Sequence, residues 1–217
     1  MERRKLLITG CGRSGTMYAS AVWRSQGLDI SHENPTPPNG QMGKDGIASW
    51  YMAVNDLKPP FGPSASEYEF DFVIHQVRHP LKVIASVAQF VLRDALSRDY
   101  IERNAPETRL NPRERQLPDC DQLILQASRY WLYWNLLACE KSSLTIKVED
   151  LAASVEELCA RLNIAFVPGV AETVSANTHG RYLYINDPYW TVDWDDIARL
   201  DRDFCNRIRA LAEVYGY

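Results

Sequence analysis

A chain of 217 residues is long enough to bury a proper core, and one domain across 1–217 is the natural expectation. Hydrophobic residues at 46% and charged residues at 24% are ordinary globular proportions and argue against global disorder. The formal net charge of −4 makes a bulk nucleic-acid binder a poor candidate, because that task needs a basic face, but it leaves room for a local basic pocket.

From the N-terminus, Met1-Glu2-Arg3-Arg4-Lys5 leads into an apolar run too short for a signal-peptide core or a membrane span, so a cytoplasmic protein without membrane association is expected. Lys5–Gly10 reads as a buried strand ending in glycine. Ser14–Gln26 has helical spacing and stops at Gly27. Leu28–Ser31 is a second strand, and the Pro- and Gly-rich 34–46 stretch is a loop. Gly46–Leu57 is expected to be a short helix. Phe70–Val77 is a third strand, and Pro80 starts a helix that runs to Leu92. Arg93–Asp119 is polar, with balanced charges, and reads either as a solvated surface excursion or as a lid facing the substrate. Asp121–Lys141 is a long helix whose Tyr130, Trp131, Tyr133 and Trp134 belong to the core. Leu144–Val148 is a fourth strand, and Val155–Leu162 and Asp195–Tyr215 are helices. Alternating strands and helices predict an α/β fold of three layers, with a central, mainly parallel sheet flanked by helices. Cys11, Cys120, Cys139, Cys159 and Cys205 are odd in number and scattered, which suits reduced thiols better than a disulfide or zinc framework.

The chemistry concentrates in Gly10-Cys11-Gly12-Arg13-Ser14-Gly15-Thr16, between a strand and a helix. Glycines let a ligand approach the backbone, the helix N-terminus adds partial positive charge, and Arg13, Ser14 and Thr16 add a charged fork and two hydroxyls. Gly10 and Gly15 have P-loop spacing, but Thr16 stands where that motif has lysine and Met17 where it has the magnesium-binding hydroxyl. A 5′-phosphate group without metal therefore fits better than a nucleoside triphosphate. The dinucleotide fingerprint G-x-G-x-x-G also fits Gly10, Gly12 and Gly15, with Glu33 near the place of its acid. A second string, Val77-Arg78-His79-Pro80 with Ser86 beyond it, places an arginine at a strand end and a hydroxyl on the following helix, a candidate second phosphate site. His32 and Glu33 lie at the carboxyl end of the second strand, beside the loop, and strand alternation points them to opposite faces. Tyr18 is a candidate for stacking on a base or for the core, and His75 for the core.

Taken together, these strings resemble the sulfotransferase family that uses 3′-phosphoadenosine 5′-phosphosulfate. Arg13-Ser14-Gly15-Thr16 matches its K/R-[ST]-G-[ST] loop for the 5′-phosphosulfate, and Arg78, Pro80 and Ser86 match its R-x-P…S string for the 3′-phosphate. Val148-Glu149-Asp150-Leu151 is similar to its Y/V-E-D-L string, and His179-Gly180-Arg181 to the loop that closes over the donor. The resemblance implies a P-loop-like fold and sulfuryl transfer to an acceptor hydroxyl on a small molecule or carbohydrate, with no metal required. It implies donor binding by Gly12, Arg13, Ser14, Gly15, Thr16, Arg78, Ser86, Gly180 and Arg181. Branches of the family that use a glutamate base carry it in the region of Glu33, so Glu33, or else His32, would take the acceptor proton. Arg13 stands where cytosolic small-molecule members carry lysine; it stabilises charge but cannot donate a proton. A kinase with a degenerate loop and a nucleotide-binding relative without activity are the rival expectations.

Overall fold

The structure is a computed structural model, and it describes residues 1–33, 42–56, 59, 64–175 and 190–217. Five parallel strands form the central sheet: β1 (Glu2–Thr9), β2 (Ile30–His32), β3 (Gly46–Ala48), β4 (Tyr68–Val77) and β5 (Leu144–Lys147), in the order β2-β3-β1-β4-β5. The helices are α1 (Thr16–Ser25), α2 (Pro80–Ser86), α3 (Ala95–Asn104), α4 (Asp119–Lys141), α5 (Leu151–Arg161), α6 (Trp194–Leu200) and α7 (Arg202–Val214).

Strand alternation builds the three layers. Leu6 and Ile8 of β1 point into an apolar cluster with Val22 and Trp23 of α1 and Val155 and Leu158 of α5. Leu7 points the other way, into a cluster with Ile84 of α2, Trp131 and Trp134 of α4 and Ile208 of α7. Both clusters are nearly dry, which is why short apolar strands such as Leu6-Leu7-Ile8 lack the apolar–polar alternation of a one-sided sheet. Because β1 lies between β3 and β4, the chain leaves it in one direction for β2 and later crosses to β4 on the other side. Ligands of open α/β sheets bind at such a reversal, beyond the carboxyl ends of the strands.

The structure changes three expectations. Gly46–Leu57 does not open as a helix: Gly46–Ala48 is β3, followed by one 3₁₀ turn at Tyr51–Ala53. Gly46 is required there, since its φ is 150° and a Cβ would come 1.8 Å from the Leu6 carbonyl oxygen. β3 also separates β2 from β1, so β2 is not the strand next to the loop-bearing one. The 93–119 stretch is mostly exposed, as the surface-excursion reading expects, but it is anchored: α3 buries Tyr100 and Ile101 there, and Thr108 is also buried. Arg129 of α4 holds that stretch through a forked ion pair with Glu114, at 2.6 and 2.9 Å. The helix expected over Asp195–Tyr215 is two helices, broken at Asp201, whose carboxylate accepts from the Phe204 N–H and caps α7.

Tyr130, Trp131 and Trp134 are fully buried, as expected, and Tyr133 is partly so. The helix expected from Pro80 continues past α2 as a π-helical turn over Val87–Val91. All five cysteines are free. Among the described residues no helix is long and apolar enough to cross a membrane.

Candidate anion-binding loop and buried acid

Between β1 and α1 the backbone must reverse within six residues. It does so through two left-handed positions, Arg13 at φ 72° and Gly15 at φ 96°. Glycine adopts that region freely, whereas arginine there carries strain of about 1–3 kcal/mol that the surroundings must hold. They hold it at both ends of the residue. The Arg13 Nε donates to Ser86 Oγ (2.8 Å), and Arg78 donates from its guanidinium to the Arg13 carbonyl (3.3 Å). The Arg13 guanidinium also lies 5.5 Å from the centre of the Phe90 ring. The loop is further supported from below. The Gly12 N–H donates to Tyr130 Oη (2.8 Å), the Gln76 amide donates to the Ser14 carbonyl (2.9 Å), and a Cβ on Gly15 would come 2.7 Å from Val148.

These contacts leave some donors of the loop and helix start without a side-chain acceptor. No side chain caps α1, whose N-cap is Gly15, so its first-turn N–H groups lack side-chain acceptors. The Ser14 hydroxyl is buried and, among the described residues, has no hydrogen-bond partner. Oriented N–H groups, an orphaned hydroxyl and two arginines are the donor set that a phosphate group requires.

A buried acid lies at the edge of the loop. The Trp50 N–H donates to Glu33 Oε2 (3.0 Å), and Trp50 is itself fixed by Trp134 Nε1, which donates to its carbonyl (2.8 Å). The Trp50 ring packs edge-on to Tyr100 and Tyr130. His32 Nε2 lies 3.1 Å from Thr16 Oγ1 and 3.4 Å from Glu33 Oε1. His32 and Glu33 therefore do not face apart as strand alternation suggested. β2 ends at His32, and past that point the pleat no longer dictates direction.

Burial dominates the titration of both groups. It pushes the Glu33 carboxyl up to about 8, against the Ser49 and Thr16 hydroxyls and the Trp50 N–H, which favour the charged form. It pushes His32 down to about 4, with Arg24 adding to the effect. At neutral pH the proton of this pair rests on the carboxyl, and the imidazole is neutral. Burial also pushes the Cys11 thiol well up, so this loop cysteine stays protonated.

The structure thus brings together Gly12, Arg13, Ser14, Gly15, Thr16, Arg78, Ser86, His32 and Glu33. The grouping differs from the expectation at Ser86, which bonds Arg13 rather than forming a separate pocket with Arg78. Of the Val148–Leu151 string, Val148 packs on Gly15, while Glu149 accepts from the Tyr217 hydroxyl (2.7 Å). His179, Gly180 and Arg181 lie outside the described residues. Tyr18 is 9% exposed and packs in the α1–α5 cluster.

Sequence reasoning missed Trp50, Gln76 and the loop contact of Tyr130. The spacing of Gln126, Tyr130 and Trp134 along one helical stripe was the available signal for Tyr130. Among the described residues no cluster of His, Cys, Asp or Glu could hold a metal ion. No protein-family model matches the chain, and no curated protein matches it either.

Proposed function

We propose that this protein transfers a sulfuryl group from 3′-phosphoadenosine 5′-phosphosulfate to an acceptor hydroxyl. The observation that carries the reading is the Arg78–Arg13–Ser86 junction. Residues 65 and 73 positions apart in sequence close on one strained loop residue, so that two arginines and a hydroxyl meet at the loop. Thr16 adds to it. It stands where a P-loop has the phosphate-reaching lysine, with Met17 in place of the magnesium-binding hydroxyl, and its own hydroxyl lies 3.1 Å from His32 Nε2. That arrangement favours this reading over a kinase.

The donor supplies an activated sulfuryl group on a phosphate leaving group. Arg13, positioned by Ser86, the loop N–H groups and the Ser14 and Thr16 hydroxyls hold the 5′-phosphate side, and Arg78 holds the 3′-phosphate. By the resemblance, Gly180 and Arg181 close over the donor. The acceptor oxygen bonds to sulfur as the bond from sulfur to the phosphate oxygen breaks, and the phosphate keeps the electron pair. Arg13, charged at every working pH, offsets the negative charge that grows there. Glu33 takes the hydroxyl proton in its ionised form, which gains population as pH approaches 8, and its raised pKa makes that form a stronger base than an ordinary carboxylate. His32 and Thr16 orient it.

The test is a thermal-shift comparison. 3′-Phosphoadenosine 5′-phosphate should raise the melting temperature without added metal, and ATP with Mg²⁺ should do little. Stabilisation by ATP and Mg²⁺ alone would overturn the reading in favour of a kinase.

A further inference from the structure

Several rotatable bonds separate an arginine's guanidinium from its backbone, and a fork that must be ordered on binding loses affinity to the entropy of ordering. Arg13 is ordered beforehand by two groups that come from one stretch of helix. Ser86 Oγ accepts from Arg13 Nε (2.8 Å), and the Arg13 guanidinium carbon lies 5.5 Å from the centre of the Phe90 ring, within cation–π reach. The two contacts differ in what they take from the fork. Ser86 engages the Nε–H. The ring attracts the cation through its π electrons and needs no hydrogen bond from it, so it orients the fork without consuming donors that a phosphate requires.

The helix geometry explains how one stretch supplies both groups. Pro80–Ser86 is α-helical, and Val87–Val91 widens into a π-helical turn, in which the Leu92 N–H donates to the Val87 carbonyl five residues back (3.1 Å). Such turns are rare and recur at functional sites. Here each residue of the turn has its own task. Val87 and Ala88 are buried in the core, as is Leu92 just beyond. Gln89 is also buried, and its side-chain oxygen accepts from the Trp190 N–H (3.1 Å). The Arg93 guanidinium lies 5.2 Å from the centre of the Trp190 ring. Phe90, four residues after Ser86 and so on the same side of the helix, is left partly exposed against Arg13. The core and Trp190 thus fix the turn that carries the ring.

We propose that Phe90 is a positioning residue for Arg13, and that its aromatic ring, set beside Ser86 by the π-helical turn, aims the Arg13 fork at the 5′-phosphate of the donor. The inference rests on the sulfotransferase reading for the identity of the donor, and on the Phe90–Arg13 contact alone for the aim of the fork. Arg13 offsets charge on the departing phosphate, so the effect of the ring on the reaction passes through Arg13.

The experiment is a calorimetric titration of wild type, Phe90→Leu and Phe90→Tyr with 3′-phosphoadenosine 5′-phosphate and with 5′-AMP, without metal. It is paired with the NMR signal of the Arg13 Nε–H in each protein free of ligand. Leucine keeps apolar bulk and removes the ring, whereas tyrosine keeps the ring. Phe90 is only partly buried, so both variants should fold, and a melting curve of each checks this. Phe90→Leu should weaken both nucleotides by the same factor, roughly 3- to 30-fold, because both present a 5′-phosphate. Phe90→Tyr should bind both within about twofold of wild type. The Arg13 Nε–H proton should lie upfield in wild type and Phe90→Tyr, shielded by the ring, and move downfield in Phe90→Leu. Unchanged affinity in Phe90→Leu, an equal loss in Phe90→Tyr, a loss confined to the 3′-phosphorylated nucleotide, or an Arg13 signal indifferent to the ring would overturn the proposal. Failure of the wild type to bind either nucleotide would overturn the sulfotransferase reading instead, and the Arg13 signal would then decide by itself whether the ring holds the fork.

Discussion

His32 and His75 are both buried, and burial lowers both to about 4, yet their surroundings give them different work. His75, inside β4, has both ring nitrogens paired with neutral groups, Nδ1 with Thr145 Oγ1 (3.1 Å) and Nε2 with Asn135 Oδ1 (3.0 Å). It is fully enclosed, with the Tyr215 ring edge-on beside it. Nothing reaches it and its hydrogen bonds are complete, so it ties β4 to β5 and α4. His32 at the end of β2 instead touches a loop hydroxyl and a buried carboxyl whose pKa is displaced in the opposite direction. Burial alone therefore does not mark a functional histidine. What distinguishes His32 is a titratable neighbour displaced the other way, beside the loop between β1 and α1.

The sharpest way to break this contrast is to alter each region and read activity and stability together. Glu33→Gln should cut single-turnover sulfuryl transfer by about 10²–10⁴ with donor affinity kept, the usual contribution of a general base. In wild type kcat/KM should rise with pH through about 8, where Glu33 loses its proton, and that rise should vanish in the variant. A wild-type rate in Glu33→Gln would move the base to His32. His75→Ala should do the reverse. Orphaning Asn135 and Thr145 should cost about 2–3 kcal/mol of stability, seen as a lower denaturant midpoint, with transfer rates unchanged where the protein is folded.

A pH effect separates the acid from ordinary surface carboxylates. The folded state holds the Glu33 proton up to about 8, whereas the unfolded chain releases it near 4.5. The group's stabilising contribution is thus complete below about 4.5 and is lost as pH rises through 8. Melting curves of wild type and Glu33→Gln should nearly coincide at pH 5. At pH 8.5, where the folded wild type holds an ionised buried carboxylate, the variant should melt clearly higher, by roughly 10 °C. The smallest effect is expected from Tyr130→Phe. Removing the acceptor of the Gly12 N–H should cost about 1 kcal/mol and loosen the anion loop, measured as faster amide exchange at Gly12.

The layered α/β architecture was legible because its strands are short apolar runs and its helices carry 3.6-residue spacing. The strand β3 was not. Three residues, Gly46-Ile47-Ala48, carry no period, and the reason for their position is a close approach to Leu6 that only the assembled sheet reveals. The break at Asp201 was equally hidden, since a capping aspartate inside an amphipathic run looks like one more exposed acid. Within the site, Arg13, Ser14, Arg78 and Ser86 could be read from spacing. That Ser86 bonds Arg13 rather than joining Arg78 depends on how α2 packs, which spacing does not encode. Glu33 was legible as a candidate, but the Trp50 N–H that holds it was not, because Trp50 follows the missed strand.

The central claim is that Arg13 and Arg78 together read a nucleotide carrying phosphates at both the 5′ and 3′ positions. Calorimetric titration of wild type and Arg78→Ala with 3′-phosphoadenosine 5′-phosphate and with 5′-AMP, without metal, tests it most directly. The expected result is tight binding of the bisphosphate to wild type and a loss of roughly 10- to 150-fold in the variant, with 5′-AMP binding changed far less. Equal losses for the two nucleotides, or no preference for the 3′-phosphorylated one in wild type, would contradict it.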